Sequence, residues 1–197
     1  MLLFSNTKRR QSAQAALFLD RDGVINRDHG HVHSQENFDF LPGIFKLVLD
    51  ARANGYLCVV VTNQAGIGRG LYTTNQFKTL SIWMCEQFQK KGAFIDAIYY
   101  SPFHPTEARG RYLLKETTRK PGTGMFLEAA LDLNIDLSKS IMIGDKVTDV
   151  EASSNAKIKS NYLLSSSTIN LPQSLKGEVE IFSDLSTIAS GLLSCIR

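Results

Sequence analysis

Apolar positions along this chain fall into short unbroken runs, separated by stretches in which they recur every three or four residues. Ala15–Leu19 (AALFL), Tyr56–Val61 (YLCVVV), Ile95–Tyr100, Ile141–Ile143, Tyr162–Leu164 and Val179–Ile181 make up the first kind. A strand buried on both faces of a parallel sheet reads this way, because neither face alternates with solvent. Between the runs, Pro42-Gly43 opens a helix to about Asn54, closed by Gly55 at its C-terminal boundary. A second helix starts near Thr73, where Gln76 three residues on completes a capping box, and carries Phe77, Leu80, Met84 and Phe88 at helical spacing. Further helices are expected at Thr123–Leu133, from about Asp149, and at the end of the chain to Leu193. Strands alternating with helices predict an α/β fold, a three-layer Rossmann-like domain on a central parallel sheet with no large cap domain. The expected division is a mobile basic lead-in over residues 1–14, then one domain over 15–197 in which Ser165–Ser174 is a linker.

Two polar stretches interrupt the pattern. Arg27–Leu41 follows the first strand and contains His29, His31 and His33, and Ser101–Pro121 is rich in proline, glycine and charge. Loops of this length in a domain of this size usually serve function or are disordered.

Composition narrows the partners. With a net charge of +3, part of it in Lys8-Arg9-Arg10, the chain makes no case for nucleic acid or a membrane surface. No apolar run approaches membrane-spanning length, and Met1–Phe4 is too short for a signal-peptide core. Cys58, Cys85 and Cys195 are odd in number and sit among apolar residues, as reduced thiols of a cytoplasmic protein do. Without an obvious interface stripe, a monomer is expected.

The chemistry gathers where the strands end. The first run delivers Asp20, Asp22 and Gly23 into a loop, and strand ends are where open α/β sheets bind ligands. The second run ends on Thr62, a hydroxyl suited to a phosphoryl oxygen; Lys120 stands just before a helix start. The fourth ends on Gly144-Asp145, with Asp149 one helical turn on, and Asp145 with Asp20 would make a hard oxygen site for Mg²⁺. Taken singly, each has a structural reading: a polar turn, a strand-end threonine, a solvated lysine. Gly66–Gly70 has the look of a dinucleotide fingerprint, but it follows the wrong strand and lacks the register.

In order, LFLDRDG, VVVT, the Lys120 segment and GDKVTD resemble the four motifs of the haloacid dehalogenase (HAD) superfamily of phosphatases. That resemblance implies Asp20 as the nucleophile forming an aspartyl-phosphate and Asp22 as the acid that protonates the leaving oxygen and then activates water. It also implies that Thr62 and Lys120 hold the phosphoryl group, and that Asp20, the Asp22 carbonyl and Asp145 bind Mg²⁺, with Asp149 orienting the set. Within the superfamily, DRDGVIN-RDHGHVH, VVVTNQAGIGRG, YYSPFHP and TRKPGTGM resemble the heptose bisphosphate phosphatases, with the histidinol-phosphate phosphatases as nearest alternative. The narrower resemblance implies a small phosphorylated sugar as substrate, a 7-phosphate as the group removed, and a place in making nucleotide-activated heptose for lipopolysaccharide. Arg119 would bind the second, non-reacting phosphate, and Asn63, Gln64 and Arg69 would line the same pocket.

For His29, His31 and His33 three readings stand. An extended segment would put all three on one face as a metal site; the resemblance makes His29 and His33 substrate-facing; or they are ordinary loop residues. The chain departs from its relatives in the second excursion, where they carry a structural zinc. The ligand positions here read Ser101, Phe103, Glu116 and Thr118, so no zinc is expected and packing through Phe103, Tyr112 and Leu113 should hold the loop. The rival to an enzyme is a catalytically silent binding protein of the same fold.

Overall fold

Residues 2–5 and 12–188 are described by the structure, a computed structural model. Each apolar run from Ala16 to Leu164 becomes a strand: β1 is Leu2–Ser5, β2 Ala16–Leu19, β3 Leu57–Asn63, β4 Ala97–Ser101, β5 Ile141–Gly144, β6 Ser160–Leu164 and β7 Val179–Phe182. The helices are α1 (Ile44–Ala53), α2 (Ala65–Arg69), α3 (Thr74–Lys90), α4 (Gly124–Leu133) and α5 (Val147–Asn155). Thr73 and Gln76 form the expected capping box, and Gly55 takes the positive φ of 83° that closes α1. The final helix expected to reach Leu193 runs beyond the described residues.

The strands lie in the order β1-β4-β3-β2-β5-β6-β7. β2 through β7 are parallel to their neighbours, and β1 joins the β4 edge antiparallel. This corrects the lead-in expectation for Leu2–Ser5: the open β4 edge offers unpaired backbone groups that an extended tetrapeptide can satisfy. From β2 the chain winds outward through β3 and β4, then returns to the other side of β2 for β5, β6 and β7. The carboxyl end of β2 therefore stands at the topological switch point, where crossovers diverge and leave a crevice.

Alternation along β2 splits the core in two. Leu17 and Leu19 face a layer with Leu47 and Val48 of α1 and Phe77, Leu80 and Met84 of α3. Ala16 and Phe18 face Met125, Phe126 and Ala129 of α4 and Ala152 of α5. Phe18 meets Phe126 edge-on at 5.2 Å between centroids. Both layers anchor β2 rigidly, which is what fixes the residues at its tip.

The excursion after β4 packs on α2, a five-residue helix that periodicity did not reveal. A Cβ at Gly68 would lie 2.4 Å from the Pro102 carbonyl oxygen and 2.9 Å from the Cβ atoms of Ala108 and Tyr112. The Arg109 N–H donates to the Gly68 oxygen at 2.8 Å. Phe103 and Tyr112 stack loosely at 5.9 Å, as expected, but Leu113 is half exposed and does not hold the loop. At two of the positions compared with the relatives' zinc ligands, the Thr118 hydroxyl donates to the Ser101 hydroxyl at 3.4 Å, while Phe103 offers its carbonyl to Arg119 at 3.1 Å. Glu116 accepts from the Thr117 N–H. The His104 Nδ1 lone pair accepts the N–H groups of Thr106 and Glu107 at 3.3 and 3.0 Å. Two hydroxyls and an occupied imidazole do not fit a tetrahedral zinc site.

Because α2 and the excursion touch through backbone at Gly68, Gly68→Ala should lower the thermal midpoint by the equivalent of about 1–3 kcal/mol, the range for overpacking. It should also speed proteolytic cleavage within 102–119. A variant as stable and as protease-resistant as wild type would show that the contact is not needed.

Candidate active site

Four strand-end or loop segments converge beyond β2. Asp20 leaves β2 with its N–H bonded to the Ile143 oxygen at 3.0 Å, so the nucleophile candidate is registered against β5 by backbone. Lys120, 2% exposed, reaches in from the segment before α4. Its ammonium contacts Asp20 Oδ1 at 2.9 Å and Asp149 Oδ1 at 2.7 Å, and donates to the Val61 carbonyl at 2.8 Å. Burial works to lower the pKa of Lys120, but Asp149 and Asp20 outweigh it and raise it, so the group stays charged. Asn63 holds the Lys120 backbone on both sides, accepting its N–H and donating to its carbonyl, each at 3.1 Å.

Asp20, Asp145 and Asp149 bring carboxylate oxygens within 4.8 Å of one another. Asp149 is fully engaged: Oδ1 pairs with Lys120, and Oδ2 accepts the N–H groups of Asp145 and Lys146 at 3.2 and 3.0 Å. Gly144 makes room for it, since a Cβ there would lie 2.3 Å from the Asp149 Cβ. Asp145 differs, because its Oδ1 is buried with no hydrogen-bond partner among the described residues. Gly23 (φ 92°) packs against that carboxyl group, and a Cβ at Gly23 would meet Asp145 Oδ2 at 2.2 Å. Burial, then the charges of Asp20 and Asp149, push Asp145 up to about 8. Burial likewise lifts Asp20 to about 6 against the pull of Lys120. An orphaned buried carboxylate oxygen, crowded by two other carboxylates with Lys120 at its core and Lys146 at 3.8 Å on its rim, fits a hard divalent cation held by Asp20 and Asp145. Asp149, with both oxygens already engaged, is left in position to orient the set.

Asp22 sits beside this cluster, its position fixed by three residues. Arg21 donates from Nε and Nη2 at 2.6–3.1 Å, Asn26 Nδ2 at 3.0 Å and Gln64 Nε2 at 3.0 Å. Gln64 was expected to line the substrate pocket, and it does border the cavity over the cluster. The structure places it 1% exposed, its Nε2 shared between Asp22 and the Thr62 hydroxyl, also at 3.0 Å, and its Oε1 accepting from Tyr72. Thr62 is wholly buried at the end of β3. Burial pushes the Tyr72 hydroxyl up to about 12, so it remains a donor. Arg21, Asn26 and Tyr72 were missed by sequence reasoning. Asp-Arg-Asp directly after an apolar run was the available signal, since an arginine there is carried inward with its neighbours.

A cavity of about 480 Å³ opens over the cluster, lined among others by Asp20, Asp22, Asn63, Arg69, Arg119 and Lys120. Of the three loop histidines, His31 lines it. Gly30 (φ 78°) and His31 (φ 54°) turn the chain left-handed, so the extended, one-face arrangement does not form. His29 instead pairs with Asp39 at 2.8 Å, and His33 stacks on Tyr72 with centroids 5.1 Å apart. The substrate-facing expectation for His29 and His33 is thereby corrected to His31. Asp28 caps this turn through the Gly30 N–H at 3.0 Å and pairs with Lys146 at 3.0 Å, tying the loop to the Asp145 segment. No helix among the described residues is long and apolar enough to cross a membrane.

Comparison with known proteins agrees with this geometry. Residues 117–175 match the HAD-hydrolase-like family model. The chain is 51% identical over 149 residues to D-glycero-alpha-D-manno-heptose-1,7-bisphosphate 7-phosphatase of Burkholderia mallei, covering 76% of this chain and 79% of that protein. It is 46% identical over 149 residues to the beta-named enzyme of Pasteurella multocida, covering 76% and 80%. Among solved structures, the D,D-heptose 1,7-bisphosphate phosphatase of B. bronchiseptica, complexed with magnesium and phosphate, superposes with a TM-score of 0.78 at 26% identity, covering 91% of this chain and 98% of that one.

The orphaned oxygen of Asp145 leads to a two-sided expectation for Asp145→Asn. Thermal melts of wild type should rise with added Mg²⁺, because a ligand bound by the native state alone stabilises it, whereas the variant should not respond. In EDTA above about pH 8, where the Asp145 carboxyl ionises, the variant should melt at or above wild type, having lost a crowded buried charge. A variant that melts well below wild type in EDTA would mean that Asp145 stabilises the metal-free fold.

Proposed function

The chain belongs to the D-glycero-D-manno-heptose-1,7-bisphosphate 7-phosphatase family of HAD-like hydrolases, and we propose that it removes the 7-phosphate of that sugar bisphosphate through an aspartyl-phosphate on Asp20. The observation that carries the reading is the Asp20 carboxylate held at 2.9 Å from a fully buried ammonium, beside an unpartnered Asp145 oxygen, at the floor of a cavity with arginines on its wall. The same reading puts the reaction in the cytoplasm, upstream of nucleotide-activated heptose for lipopolysaccharide.

An Asp20 oxygen attacks phosphorus in line with the leaving sugar oxygen; the new Oδ–P bond forms as the sugar O–P bond breaks. The proton on Asp22 passes to that sugar oxygen, which leaves as the free hydroxyl. Water then attacks the same phosphorus while Asp22 takes its proton, breaking the acyl-phosphate bond and restoring Asp20 with release of inorganic phosphate. Lys120 neutralises phosphoryl oxygens throughout, and because it is already anchored by Asp149 and Val61 it needs no rearrangement to do so. Asp20, Asp145 and the Asp22 carbonyl would hold Mg²⁺, which supplies the positive charge that lets a carboxylate approach a phosphate dianion. Gln64 holds Asp22 and Thr62 at fixed separation, and Tyr72 holds Gln64. Arg119 and Arg69 on the cavity wall suit the phosphate that is not cleaved, since a guanidinium binds such groups in a fork.

Steady-state turnover of heptose 1,7-bisphosphate against histidinol phosphate tests the assignment. Specificity for the bisphosphate should exceed that for histidinol phosphate by about a hundredfold or more, because the second phosphate adds charge-assisted hydrogen bonds to the arginines that histidinol phosphate does not make. Release of phosphate should need Mg²⁺, and Asp20→Asn should lose at least about a thousandfold in kcat, as nucleophile removal does elsewhere. Reversed substrate preference would assign the protein to the histidinol-phosphate branch. Equal inertness of wild type and Asp20→Asn on both substrates would leave the silent binding protein as the better reading.

A further inference from the structure

On the cavity wall furnished by the two polar loops and the end of α2 stand two arginines, Arg69 and Arg119, with His31, His104 and Asp28 beside them. A further carboxylate, Glu107, sits against Arg69. Glu107 Oε2 lies 3.3 Å from Arg69 Nη1 and 3.8 Å from His104 Nε2. The arrangement around it is fixed by the backbone. His104 Nδ1 is used as an acceptor by the N–H groups of Thr106 and Glu107, so the ring proton resides on Nε2, the nitrogen facing Glu107. The same Arg69 Nη1 also donates to His31 Nε2 at 3.3 Å. Burial lowers the pKa of Arg119, and the charge of Glu107 acts on that guanidinium in the opposite sense, so Arg119 also lies within its field.

A carboxylate paired with one arginine, 3.8 Å from a histidine ring nitrogen and felt by a second arginine, is a stand-in for an external anion. It is also easily displaced, because the Glu107 side chain is half exposed and exposed ion pairs hold weakly. We propose that Glu107 is an internal competitor for the cations that bind the non-reacting phosphate, and that it sets how tightly the sugar monophosphate product is retained. The proposal rests on the substrate reading above. The product of that reaction keeps the phosphate that was not cleaved, so cations grouped around it hold product as well as substrate. A resident carboxylate that returns to Arg69 as the sugar leaves loosens that hold, favouring release. Inorganic phosphate, the other product, carries no second phosphate and so gives an internal reference.

The experiment uses the whole chain with Mg²⁺ and compares wild type with Glu107→Gln, which keeps size and hydrogen bonding while removing charge, and with Glu107→Ala. Measured are the KM for heptose 1,7-bisphosphate and the inhibition constants of heptose 1-phosphate and inorganic phosphate. In both variants the KM and the heptose 1-phosphate constant should fall by about two- to fivefold, the scale of an exposed ion pair, relative to the constant for inorganic phosphate. If Glu107 instead aims Arg69 at the substrate, both values rise and the proposal is overturned. Values unchanged relative to inorganic phosphate, with wild type turning over the bisphosphate, overturn the Glu107 assignment and leave the substrate reading standing. A wild type that does not hydrolyse the bisphosphate removes both.

Discussion

Everything at the tip of the sheet depends on one ammonium group placed where water cannot reach it. Lys120 is almost wholly buried and its charge survives because two carboxylates and a carbonyl surround it. Those partners come from the ends of β2, β3 and α5, three segments that the chain order keeps far apart. Removing one member of such a buried set costs about 3–5 kcal/mol, because the remaining charge is stranded. The lysine therefore holds the Asp20 carboxylate in place and ties the two halves of the domain together at the crevice.

Charge balance then explains why the cluster is unfinished as a protein-only object. Three aspartates crowd Lys120, and although Lys146 comes within 3.8 Å of Asp145 Oδ2, Asp145 keeps a buried oxygen that nothing among the described residues satisfies. Native interiors seldom tolerate this unless an ion completes the arrangement. The glycines at 23 and 144 belong to the same logic. Each leaves the space of a side chain to a carboxyl group pressed against the backbone.

Most of the fold was legible because its signals are local. A continuous apolar run names a buried strand, a Thr-x-x-Gln pair names a helix start, and the motif aspartates sit at the ends of those runs, where a parallel sheet exposes them. What escaped depended on backbone turns or on side chains from distant segments. His29, His31 and His33 looked like one face until two successive left-handed residues rotated the middle one toward the cavity and the others away. Gln64 borders the cavity as expected, but nothing near it in sequence discloses that Asp22 and Tyr72 both bind its amide. The antiparallel strand at Leu2–Ser5 depends on an edge that exists only once the sheet has formed.

The Gln64 amide has a direction. Its oxygen is committed to the Tyr72 hydroxyl, so its nitrogen must point to Asp22 and Thr62, and the same –NH₂ serves both. Rotating the amide by half a turn would set its carbonyl against a carboxylate, and a glutamate in its place would set one anion against another. Position 64 is thus closed to its nearest isostere. Drift at 22, 62 or 72 is constrained by the same shared group: each can change without cost only in company with the others, and the four residues should be inherited as a block.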